Sequence, residues 1–132
     1  MLNGLRRRSA ADPDLAAFLD AARLSFVSAQ QAWDRADLAA LSRMATEPLV
    51  EELREQLAER GPAPNYTEVV EVRARLLGVD EIRDAQVASV EFSGLIREEP
   101  SAGPSPFREV WNMTKPKEGR SGWLVAGVQA LQ

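Results

Sequence analysis

The chain reads as an α+β fold: N-terminal helices packed on the concave face of a curved, four-stranded antiparallel sheet. Three observations predict it. Apolar residues recur with a period near 3.6 up to about residue 60. From residue 67 onward the period drops to 2. The links in that second half are short and polar or carry proline and glycine, as in an antiparallel meander.

The first helix is expected over 13–35. Asp12 is placed to cap its free amides and Pro13 fits its first turn. Leu15, Phe18, Leu19, Ala22, Phe26, Ala29 and Trp33 form one face, while Asp20, Arg23, Gln30, Gln31 and Asp34 form the other. Asp37 caps a short second helix from Leu38 to Met44. Thr46 caps a third that opens with Glu47 and Pro48, buries Leu49, Val50, Leu53 and Leu57, and stops at Gly61 and Pro62.

Four strands follow. Thr67 to Val79 puts Val70, Val72, Ala74 and Leu76 on one face against Glu71, Arg73 and Arg75. Ala85 to Ile96 turns Ala88, Val90 and Phe92 inward. Phe107 to Lys115 alternates Phe107, Trp111 and Met113 with Arg108, Val110 and Asn112. Trp123 to Leu131 is apolar on both faces, which points to a central strand. The connectors are a polar turn at 80–84, a longer loop at 98–106 and a hairpin turn at 117–122. A half-apolar sheet needs a cover, and the first helix has the length to supply it. The sheet would then curl into a cone around that helix, with a pocket expected at the wide end.

Composition narrows the function. At 132 residues, 45% hydrophobic and 27% charged, the chain has the size and make-up of one ordinary globular domain. Residues 1–12 read as a flexible basic tail and 13–132 as the domain. Cysteine and histidine are both absent, which removes thiolate chemistry, disulfides, the usual base near neutrality and the usual metal ligand. Net charge is −4, and three of the 16 basic residues, Arg6, Arg7 and Arg8, stand together at the start. The rest is more acidic still, so no nucleic-acid partner is expected. No run approaches the roughly 18 apolar residues of a spanning helix.

The candidate residues each have a plain structural reading. Phe26, Trp33, Phe92 and Trp111 lie in apolar stripes, so they belong to the helix–sheet core or line what remains of a pocket. Trp111 is the best pocket candidate. Glu91, Glu109 and Tyr66 are the only groups to consider for acid–base work, and a surface pairing of the carboxylates with Arg73, Arg75 or Arg108 is the simpler expectation. The acidic clusters at Asp12–Asp14 and Asp80–Asp84 lack the spacing and turning glycine of a calcium loop. Arg6, Arg7 and Arg8 are candidates for contact with anionic lipid, at about 1 kcal/mol each.

Several stretches carry a resemblance: AWDRADL at 32–38, LAERG at 57–61, VASVEFSGLIRE at 87–98, PFREVW at 106–111 and GWLVAGVQ at 122–129. Together they resemble the C-terminal domain of Tim44, a subunit of the mitochondrial inner-membrane translocase, and its bacterial membrane-linked relatives, over residues 13–132. The resemblance implies the nuclear-transport-factor-two-like (cystatin-like) cone, no catalysis, no cofactor, and scaffold work at a bacterial inner-membrane surface. The expected partners are a membrane protein or an anionic lipid surface, with pairing of two copies through the sheet face as a further option. Relatives often carry an apolar N-terminal segment that this sequence does not show; a domain cut from a longer protein and a different gene start both fit. The runner-up reading is a cone-fold protein that binds or transforms a small apolar ligand.

Overall fold

The computed structural model describes residues 13–116 and 122–131. The basic tail with Arg6, Arg7 and Arg8, the Asp12 cap and most of the expected 117–122 turn lie outside them.

The first half is helical, as the 3.6-residue rhythm requires. Helix α1 spans Pro13–Asp34, α2 Leu38–Met44 and α3 Glu47–Arg60. The end of α1 is a Schellman turn: the Asp37 amide donates to the Ala32 carbonyl (2.8 Å) and the Ala36 amide to that of Trp33 (3.0 Å). Ala36 takes the left-handed position (φ 56°) that glycine usually holds. Asp37 then starts α2, its carboxylate accepting from the Ala40 amide at 3.0 Å. Thr46 holds the N-cap position of α3, but its side chain makes no capping bond. Its amide instead donates to the Val125 carbonyl at 2.9 Å, tying the helical layer to the sheet.

The second half is a four-stranded antiparallel meander: β1 Glu68–Ile82, β2 Ala85–Arg97, β3 Ser105–Pro116 and β4 Leu124–Ala130, in the order β1-β2-β3-β4. Two expectations need correction. β4 is an edge strand, not a central one. Val125 is buried where Ala45 bridges to it along the outer edge and α2 and α3 rest on the strand, while Ala126, Val128 and Ala130 are left exposed. Val70 does not face the core. A bulge between Val69 and Glu71 leaves Val70 44% exposed and packs Val69 instead; a second bulge between Leu76 and Gly78 likewise leaves Leu77 exposed. Both bulges sit on the long free edge of β1, where they interrupt a ladder that another strand could join.

The core lies between α1 and the inner sheet face. Phe26 is 1% exposed, and its ring lies 4.8 Å from Phe92, 5.2 Å from Phe107 and 5.4 Å from Trp111, centroid to centroid. The helix approaches this closely because the sheet bends around it, and one hinge of that bend is Gly94. Its φ of 155° suits glycine, and a β-carbon there would collide with the Glu71 carbonyl at the first bulge.

Three outcomes are expected from thermal or denaturant unfolding. Phe26→Ala and Phe92→Ala should each cost about 3–5 kcal/mol; unchanged melting points would mean these rings are exposed. Gly94→Ala should cost more than about 2 kcal/mol through backbone collision and strain. Ala36→Gly should stabilise the fold by up to about 1 kcal/mol, by relieving the left-handed conformation.

Candidate functional site

The aromatic cluster fills the cone beneath α1, but not on the β3–β4 side. There a cavity of about 420 Å³ opens to solvent between the C-terminal half of α1, the α2–α3 layer and the last two strands. Ala29, Gln30 and Trp33 line it from α1. Leu41, Leu49 and Leu53 line it from the two shorter helices, with Glu52 and Gln56. Trp111 and Glu109 come from β3, and Val125 and Val128 from β4. The size is that of a small-molecule pocket, and the walls are mainly apolar.

Of the four aromatic candidates, the structure brings Trp33 and Trp111 into the cavity lining and seals Phe26 and Phe92 in the core behind it. Trp33 is held by Arg60, whose guanidinium lies 5.4 Å from the ring centroid and donates to the Trp33 carbonyl at 2.6 Å. A cation at the C-terminal end of α1 suits the helix dipole as well as the ring.

The two glutamates part company. Glu91 points outward and pairs across the sheet with Arg75 at 3.1 Å, the surface pairing expected of it. Glu109 points inward. It sits across from Phe92 in the sheet register, lines the cavity, and accepts a hydrogen bond from the Trp111 indole N–H at 2.8 Å. Burial raises its pKa above the ordinary glutamate value, and the indole bond only partly opposes that. Its inward direction was present in the sequence: Glu109 shares the parity of Phe107 and Trp111, and two residues along a strand is the same face. Tyr66 is exposed and donates to Glu68 at 3.1 Å, away from the cavity lining.

The outer sheet face is polar and largely satisfied within itself. Besides Glu91 and Arg75, it carries the Glu71–Arg73 ion pair and a Ser89–Asn112 hydrogen bond of 2.8 Å. Among the described residues no group of three or more acidic side chains converges as a metal ion would require. No helix among them is long and apolar enough to cross a membrane.

A curved meander filled by one long helix, with a cavity left between helices and sheet, defines the class of helix-filled α+β cones. A family model for the Tim44-like domain matches residues 3–130, and the chain belongs to that family. A search of curated proteins returned no match. The family is membrane-associated, with a general role in protein interaction, and it is not a known enzyme family.

Glu109 sets a pH dependence whose sign follows from its raised pKa. The folded state holds the Glu109 proton more tightly than the unfolded chain. Ionising it therefore costs stability as pH rises from the ordinary glutamate range through the raised value. Glu109→Gln keeps an oxygen for the Trp111 indole and removes the charge. The melting point of this variant minus that of the wild type should grow between about pH 4 and about pH 7. A constant difference would mean a solvated carboxylate.

Proposed function

We propose that this domain is a non-catalytic binding module that works at the surface of a bacterial inner membrane, taking hold of a protein or lipid partner through the cavity beside Trp33 and Trp111. The observation that carries this reading is the cavity itself: it is open, mainly apolar and built from five of the seven elements beside the aromatic core. The chain has neither histidine nor cysteine, and among the described residues the lining offers no nucleophile beside a base. The outer sheet face has its charges paired, so the cavity is the better partner surface.

A second reading, a pocket for a small apolar ligand, is favoured by Glu109. An inward carboxylate hydrogen-bonded to a tryptophan is a costly feature in a purely structural wall and a useful one in a ligand site.

Attachment to the membrane is best served by a partner or by another segment of the protein. The net charge of −4 makes the body repel anionic lipid, and Arg6, Arg7 and Arg8 supply only about 1 kcal/mol each near such a surface. The isolated chain should bind anionic vesicles weakly and neutral ones not at all. Deleting residues 1–8 should abolish the binding without moving the melting point. Sedimentation with vesicles at low salt and at about 0.5 M salt checks this; tight binding that survives high salt would reveal an apolar insertion surface instead. A photo-crosslinking residue in place of Leu53, at the cavity, should capture a membrane-fraction partner in cells, and one in place of the exposed edge residue Leu77 should not. Capture from Leu77 alone would move the partner surface to the sheet edge.

A further inference from the structure

We propose that the cavity takes an apolar ligand with a cationic head, an alkylammonium, whose chain lies along the helical walls and whose nitrogen meets the Glu109 carboxylate. This rests on the reading of the cavity as a binding site and adds the charge of its occupant.

The polar part of the lining is one-sided. It consists of Gln30, Glu52, Gln56 and Glu109, and among the described residues no lysine or arginine lines the cavity. An anionic head would be repelled by the half-buried Glu109 and the exposed Glu52, and a cationic head would be attracted to the same two. Most small apolar pockets leave the sign of the ligand open; this one does not.

Glu109 has acceptor capacity to spare. Among the described residues its one hydrogen-bond partner is the Trp111 indole, which takes a single oxygen. A carboxylate offers about four acceptor sites, so the rest are available to a donor in the cavity. Burial raises the Glu109 pKa by taking the ionised form out of water, and an ammonium placed beside it would offset that cost. The tryptophans add a second attraction. Trp33 and Trp111 both line the space, and indole is the ring that best accepts a cation. The Arg60 guanidinium 5.4 Å from the Trp33 centroid is an instance of the same ring–cation attraction within the fold.

Binding to the full chain is measured by calorimetry and by tryptophan fluorescence, with three probes below their aggregation limits: decylammonium, decanol and decanoate. The expected order is decylammonium tightest and decanoate at least about tenfold weaker. Glu109→Gln should weaken decylammonium about tenfold and leave decanol unchanged, and the exposed control Glu55→Gln should alter neither. A lysophosphatidylethanolamine arm identifies the source of the head. Displacement of decylammonium that is lost in Glu109→Gln assigns it to a lipid, absence of displacement assigns it to a free amine, and both outcomes support the ammonium site. Equal binding of decanoate, or decylammonium binding untouched by Glu109→Gln, overturns the cationic head and leaves the cavity as a binding site. Failure of all three probes, decanol included, overturns the ligand cavity as well.

Discussion

The ring of Phe26 against Phe92, Phe107 and Trp111 is the contact on which the rest of the structure depends. One residue of α1 meets two strands of the sheet at once, with all its ring centroids between 4.8 and 5.4 Å away. Rings offset and tilted at these separations gain attraction beyond the area they bury. The close approach also dictates the shape of the sheet. Strands β1 and β2 must bend toward the helix, and they do so at the Val69–Glu71 bulge, where Gly94 lets the two backbones come together. The curvature is thus written into a phenylalanine, a glycine and a bulge, which have to agree with one another.

That agreement decides where space is left. The cluster fills the middle of the cone beneath α1. The short helices α2 and α3 then cover the other flank. They are held to β4 by the Thr46 amide on the Val125 carbonyl and by the Ala45 bridge. Because this layer is fastened at the strand edge and not through a second set of large rings, it stands off the sheet beside Trp111. The cavity is the remainder of two packing solutions that do not meet: an aromatic plug on one side and an aliphatic lid on the other.

Much of this was legible in the residues. The change of period separated helices from strands, and the α2 bounds, the meander order and the burial of Phe26, Phe92 and Trp111 all follow from apolar spacing. What spacing does not carry is the position of an irregularity. The β1 bulges shift the phase of the alternation without leaving a glycine or proline at Val70, so Val69 and Val70 exchange faces unseen. The doubly apolar β4 signalled burial on both sides, yet at the sheet edge the helices cover Val125 and leave Ala126, Val128 and Ala130 exposed. Glu109 was readable by parity, but a charged residue in a strand is so often solvated that its type outweighed its phase.

An inward glutamate is a lasting cost to the fold, since burial disfavours its charged form and one indole bond does not compensate. A leucine or glutamine in its place would pack beside Phe92 and Trp111 without that penalty. Stability alone therefore gives no reason for a carboxylate at this point of β3. Its geometry gives one. Trp111 orients one oxygen, the register keeps it beside the core, and the open side of the group faces a cavity whose remaining polar residues are amides and a second glutamate. The same cavity lies next to the one place where the helical layer is joined to the sheet by backbone bonds at a strand edge. An occupant would rest on Trp111, the member of the aromatic plug that lines the cavity, as well as on α2 and α3.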